Sequence, residues 1–392
     1  MKKLLLLTLA LTLFMSGCWS RVELEERIIV AAVGFDTAKD PDKIEVTAQI
    51  IMPGQLGTTD NGGGNSKEAV NVYTDTGYNV FDALRNITRQ TGKKLFLAEI
   101  GVFIVGESLA RKDIGSVMDF IRRDAEPNIR SWVVVVKGRA KEALETQLTV
   151  EKVWALQITK MIQAAKFNAK APMIDILDFE KATRSATTRP VVPVMTIGQE
   201  KETSQNSMYP SRKLVLGGSA IFKDYSLVGC LDEGESRGFL WIDGEVKSGI
   251  VVVPHPGGEE QLMALEIIRA SSEVKPAISN DGNMSIKIKV NEEGNIGEIR
   301  PDHIELFYPE NIKMLEKAKQ TVIQNEVLAA IEKAQDLNAD IFGFGEAVRR
   351  KYPKEWPQYE KKWDELFPLL DVQVEVEAKI RRTGMIINPQ PD

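Results

Sequence analysis

Two hydrophobic periodicities take turns along this chain. Short apolar runs at 28–36 (IIVAAVGFD), 100–105 (IGVFIV) and 131–137 (SWVVVVK) predict strands, the last strongly β-branched. Residues 44–51 alternate through Ile44, Val46, Ala48 and Ile50, which predicts a strand with one buried face, and another strand follows near 70–74. Between these runs the period changes to that of a helix. Val80, Leu84 and Ile87 share one side of 79–91, and Gly92 supplies a stop. Further helices are expected over 108–123, as one or two pieces, and over 139–147 and 151–168. Strands and helices alternating in this way predict a mixed α/β domain.

The second half has a different rhythm. Residues 214–223 predict a strand with a bulge at Gly217-Gly218, 232–242 a short helix, and 249–253 a strand that ends in Pro254-His255-Pro256. Met284, Ile286, Ile288 and Val290 alternate with polar residues, as do Val372, Val374, Val376, Ala378 and Ile380. Both patterns predict strands with one wet face, the signature of an antiparallel sheet. Between them a helix over 309–335 aligns Ile312, Leu315, Ile323, Val327, Ile331 and Ala334 on one face, which should cover the dry side of that sheet. The fold class expected is α+β or mixed α/β, multi-domain, with mixed sheets flanked by helices. The expected organisation is a leader at 1–17, an N-terminal mixed α/β domain at 18–200, and a C-terminal α+β domain at 256–392. The segment 201–255 is either a small domain or return strands of the first. The polar stretch 199–212 marks a boundary, and the Gly-rich 53–66 a mobile loop.

The N-terminus adds a location. Lys2 and Lys3 precede a 12-residue apolar run, 4–15. A spanning helix needs about 20 such residues, so this length fits a secretory signal instead. The run ends in Met15-Ser16-Gly17-Cys18, which resembles a bacterial lipobox. Cys18 would carry a diacylglyceryl group on sulfur and, after cleavage behind Gly17, an N-acyl chain. Two or more acyl chains anchor a protein stably where one does not. Cys230 would then be the single remaining thiol, either reactive or buried. Its apolar neighbours Leu227, Val228 and Leu231, with no adjacent base, favour burial.

Composition narrows the chemistry. With 50 Lys and Arg against 56 Asp and Glu, the net charge is −6, a poor balance for nucleic-acid binding. Two histidines and two cysteines exclude a Cys/His zinc cluster or a disulfide framework. His255 and His303 read as solvated loop residues, and the runs Glu259-Glu260 and Glu292-Glu293 as solvated charge in turns. No catalytic motif, cofactor site or metal site is expected. One segment stands apart: Asp340, Phe342, Gly343, Phe344, Gly345 and Glu346 interleave glycines with aromatics beyond the long helix. It is either a partner loop or a structural plug in which the glycines permit positive φ, and the plug is favoured. Trp356 and Trp363, seven apart, are expected on one helical face as core or interface anchors.

These segments also carry a family resemblance. CWSRVELEERIIVAAVGFD (18–36), FIVGESLAR (103–111), MDFIRRDAE (118–126), DIFGFGEAVRRKYPKEW (340–356), Trp363 and VQVEVEAKIRRTG (372–384) resemble the Ger(x)C family in order and spacing. That family comprises the C subunits of spore germinant receptors. The resemblance implies several mixed α/β domains, no enzymatic site and no cofactor. It also implies a lipid anchor on the outer surface of the spore inner membrane. The implied partners are a membrane A subunit and a transporter-like B subunit, with the nutrient germinant contacted directly or only through them. The competing expectation is a solute-binding lipoprotein that captures a small nutrient itself. An exported hydrolase with a carboxylate pair is the third.

Overall fold

The computed structural model describes residues 27–53, 69–148, 150–199, 212–255, 258–298 and 309–382. The chain runs β1 (Arg27–Thr37), β2 (Ile44–Ile51), β3 (Val70–Gly77), α1 (Val80–Thr91), β4 (Lys94–Phe96), β5 (Val102–Gly106), α2 (Glu107–Lys112) and α3 (Gly115–Arg123). It continues through β6 (Trp132–Lys137), α4 (Ala140–Glu145), α5 (Trp154–Ala164), α6 (Ile176–Arg184), β7 (Val191–Gln199), β8 (Arg212–Lys223), β9 (Ser226–Leu231) and α7 (Glu233–Asp243). The last part is β10 (Gly249–His255), β11 (Gly258–Ile278), β12 (Met284–Glu298), α8 (Pro309–Asp336), α9 (Phe344–Lys351), α10 (Pro357–Glu360), α11 (Trp363–Leu366) and β13 (Asp371–Arg382). No described helix is long and apolar enough to cross a membrane.

Two sheets organise these elements. The first has the order β3-β2-β1-β5-β6-β7-β8-β9, with β4 beside β1. Its centre, β1-β5-β6-β7, is parallel, and both outer parts are antiparallel. The apolar runs of β5 and β6 follow from this position, because helices cover both faces of the parallel centre. Residues of α1, α2, α3 and α6 form one core. Residues of α4 and α5 form the other. The end of α1 is set locally. Asn79 accepts the Asp82 backbone N–H at 2.9 Å, and Gly92 closes the helix at φ 67°.

The second sheet has the order β10-β11-β12-β13. Its dry face packs on α7 and α8, with Leu315, Ile323, Val327 and Ile331 against Ile286, Ile288 and Val290. The α+β class with two sheets agrees with expectation, but the sheet is not antiparallel throughout: β12 and β13 run parallel. The connection explains this. The chain leaves β12, crosses the dry face as α8, and returns through short helices before re-entering beside it, as a parallel crossover must. The middle segment divides between the sheets. β8 and β9 extend the first, whereas β10 is an edge of the second.

Several local expectations meet specific outcomes. The bulge falls at Gly217-Gly218, which face Val194 between the pairs Pro193–Ser219 and Met195–Leu216; Gly218 takes φ 81°. Pro193 in that strand obscures β7 in the sequence, and it is tolerated because it flanks the irregularity. The helix expected over 151–168 is shorter, with a single 3₁₀ turn at Ala165–Phe167. His255 closes strand β10 against Gly258 rather than lying in a loop. Cys230 sits in β9, half-buried, and burial raises its thiol pKa. Residues 54–66 of the Gly-rich loop, 200–211 of the polar boundary, His303, the leader and Cys18 lie outside the described residues.

The two acidic pairs are not turn charges. Glu259-Glu260 opens β11. Glu292 and Glu293 lie inside β12, which runs on to Glu298, beyond the alternating core that ends at Val290. Glu292 keeps phase with Ile286, Ile288 and Val290 and therefore points to the dry face. There it meets Lys319 of α8 at 2.6 Å, both side chains fully buried. Lys319 also donates to the Glu266 carbonyl at 3.2 Å. Gly294 makes room, since a Cβ there would stand 2.2 Å from the Lys319 Nζ. Burial pushes the Glu292 carboxyl pKa up and the Lys319 ammonium pKa down, each opposed by the partner.

Candidate functional site at the junction of the two sheets

The segment 340–346 is built around one carboxylate. Beyond α8 the chain reverses at Asn338 (φ 48°) and buries Asp340. Oδ1 accepts the Phe344 N–H at 3.0 Å, and Oδ2 accepts the Gly345 N–H at 2.9 Å. These are orphan donors of the first turn of α9, whose dipole favours a negative charge there. Oδ2 also accepts the Trp363 indole N–H at 3.2 Å. Burial nevertheless dominates and lifts the carboxyl pKa to about 6, with the backbone and indole donors pulling it down.

Each glycine has a separate reason. Gly343 precedes α9 in the left-handed region at φ 68°. Gly345 is helical, but a Cβ there would lie 2.6–2.8 Å from Thr187, so only glycine permits this approach. Phe342 and Phe344 stack at 4.9 Å, and Phe344 is fully buried. They continue into Phe239 on one side and Phe367 on the other. Trp356 and Trp363 are both buried with rings 5.6 Å apart. They do not share one helix. Pro357 begins a four-residue helix and a second short helix starts at Trp363, so a folded-back chain brings the rings together.

This cluster faces the first sheet across the segment 185–190, between α6 and β7. The Asp340 carbonyl accepts the Arg189 N–H at 2.9 Å. Ser185 accepts the N–H groups of Thr187 and Thr188 at 3.3 and 3.0 Å and lies 3.4 Å from a Glu346 carboxylate oxygen. Asp364 pairs with Lys223 at 3.0 Å and with Arg189 at 3.6 Å. Lys223 also donates to the Asn338 carbonyl at 3.2 Å. All eight residues singled out from 340 to 363 thus gather in one place. Ser185, Thr187, Arg189, Lys223 and Asp364 complete it. Nothing in the sequence links those residues to the Gly-Phe-Gly segment, because their contacts span more than a hundred positions.

Beside this junction lies a cavity of about 350 Å³. One wall comes from the first sheet's side, including Ala169, Pro190 and the buried Arg189; the other comes from Phe239, Leu240 and Asp243 of α7 with Ile341. The Asp243 carboxyl pKa is raised by lost hydration and then by Glu245. Among the described residues no group of three or more His, Cys, Asp or Glu side chains is placed to hold a metal ion. The junction can hold two units together and enclose a small polar molecule.

Residues 20–197 match the family model for the spore germination protein N-terminal domain, and residues 217–384 match that for the spore germination B3/GerAC-like C-terminal domain. The chain is 28% identical to spore germination protein KC of Bacillus subtilis, over 98% of this chain and 97% of that one. It is 25% identical to spore germination protein A3 of the same organism, over 95% of each. The crystal structure of the GerBC protein superposes with a TM-score of 0.55 over 89% of this chain and 96% of that one, at 18% identity, which shows a common fold. Two family models in sequence and relatives matched end to end lead to one conclusion: this chain belongs to the Ger(x)C family of spore germination proteins.

Proposed function

We propose that the protein is the lipid-anchored C subunit of a nutrient germinant receptor and works without catalysing a reaction. It acts with a membrane A subunit and a transporter-like B subunit on the outer surface of the spore inner membrane. The observation that carries this reading is the match, over nearly the whole chain, to spore germination proteins. The leader and Cys18 supply the anchor. The buried charges agree with a structural role. Asp340 caps α9, Glu292 pairs with Lys319, and Glu326 is held by Arg237 and by Trp241 Nε1 at 3.0 Å.

The test is germination of spores in which this receptor is the single one present, with Cys18→Ala and with receptor level followed in the inner-membrane fraction. The expected result is loss of nutrient response together with loss of membrane retention. Normal response with normal retention, and a mature N-terminus without lipid by mass spectrometry, would overturn the anchored-subunit reading.

A further inference from the structure

The junction cavity carries charges of both signs on an apolar frame. Arg189 is its buried cation. A guanidinium has five N–H donors and, when buried, is normally matched by a bidentate carboxylate. Here the match is poor. Nε is shielded from water and has no acceptor. Nη1 reaches the Ser185 carbonyl at 3.4 Å, and Nη2 reaches Asp364 at 3.6 Å. Asp364 is itself exposed and held closer by Lys223, at 3.0 Å. Arg189 lines the cavity and is incompletely paired, its two Nη groups held only by the long contacts to Ser185 and Asp364.

The wall contributed by α7 has the opposite sign. Asp243 ends that helix, Glu245 follows it, and the helix C-terminus adds partial negative charge. Asp243 has no ion pair among the described residues, and Glu245 has Lys247 at 3.5 Å. The third acid in the wall, Asp178, is committed to Lys181 at 2.8 Å. Apolar surface from Pro190, Phe239, Leu240 and Ile341 lies among these charges. The volume of about 350 Å³ falls within the usual range of small-molecule sites, about 300–1,000 Å³, which concentrate between structural units.

We propose that this cavity binds a small zwitterion, with its carboxylate on Arg189, its ammonium group toward Asp243 and Glu245, and a compact apolar body against Phe239 and Ile341. A simple anion meets Asp243 and Glu245 as well as Arg189 and the exposed Lys166, and a simple cation leaves Arg189 unmatched. Because the walls come from both sheets, the bound molecule favours their docked arrangement.

Calorimetry on the full-length lipoprotein in detergent tests this with L-leucine as the probe. Its two halves, 4-methylpentanoate and 3-methylbutylamine, are the controls. Leucine is expected to bind one-to-one, and each half at least about tenfold more weakly. The double variant Asp243→Asn, Glu245→Gln keeps both side-chain shapes and is expected to reduce leucine to the level of 4-methylpentanoate. Arg189→Gln is expected to abolish binding; if it fails to fold, the double variant decides. Leucine binding absent at about 10 mM, equal to that of either half, or unchanged in the double variant would overturn the proposal. These outcomes are read on the purified protein and are independent of the germination assay.

Discussion

Asp340 and Glu292 are both carboxylates buried beside the second sheet, yet they are kept there by different means. Glu292 faces a cation: Lys319 at 2.6 Å inside the interface of β12 and α8. Asp340 has no ion pair among the described residues and instead takes two N–H groups of a helix terminus and one indole N–H. A pair of full charges depends on both members, because removing one strands the other in a medium that solvates it poorly. A carboxylate held by fixed dipoles depends on backbone placement, so it reports on the geometry of the loop that carries it. The first arrangement lies within one sheet's core. The second lies where two sheets meet.

The largest expected effect comes from breaking the pair asymmetrically. Lys319→Met should cost about 3–5 kcal/mol in urea unfolding, whereas Lys319→Met with Glu292→Leu should recover most of that loss. Equal loss in the single and the double variant would mean that the methylenes, not the charges, matter.

Asp340→Asn is expected to cost less, about 1–3 kcal/mol, since one oxygen still accepts a helix N–H. It should also change the pH profile. The folded protein holds the Asp340 proton with a pKa near 6, against an ordinary value of 3.8. Between these values the folded state binds more protons than the unfolded chain. The contribution of this group is therefore fully present below about pH 4 and is lost as pH rises through about 6. Unfolding midpoints from pH 4 to 7 should show this downward component in the parent and lack it in Asp340→Asn. Identical slopes would refute the assignment.

The smallest effect is expected on the wet face of the second sheet. Glu375 sits between Lys287 at 2.8 Å and Lys289 at 3.5 Å, and its pKa is lowered first by Lys287. These groups are exposed and screened, so Glu375→Gln should leave the unfolding midpoint at neutral pH unchanged. A clear loss that persists in high salt would place this pair with the buried ones.

Parts of this comparison were visible in the residues. Lys319 lies four positions from Leu315 and from Ile323, inside the apolar stripe of α8, and Glu292 keeps the parity of Ile288 and Val290. Both positions break a pattern, and a polar residue in an apolar stripe signals a buried partner. Reading Glu292-Glu293 as a turn overlooked that parity. Glu293, one residue on, faces outward between Arg269 and Arg381, and its pKa falls to about 2. The junction was only half legible. Asp-x-x-Gly-Phe-Gly indicated a helix start with special backbone needs, but the need of Gly345 is set by Thr187, 158 positions away.

By itself, the sequence determined strands β1, β2, β3, β5, β6, β8, β10, β12 and β13, the long helix and its buried face, the bulge at Gly217-Gly218, the segments that carry the family resemblance, and the glycine positions around Asp340. These follow from local periodicity and from the conformational range of single residues, which neighbours along the chain suffice to fix. Tertiary structure alone decided that β12 and β13 run parallel, that β8 and β9 extend the first sheet, that Trp356 and Trp363 meet without sharing a helix, and that Arg189 lines a cavity with Asp243. The reason is that strand partners, crossovers and the matching of buried charges depend on residues far apart in the chain, whose proximity no local pattern encodes.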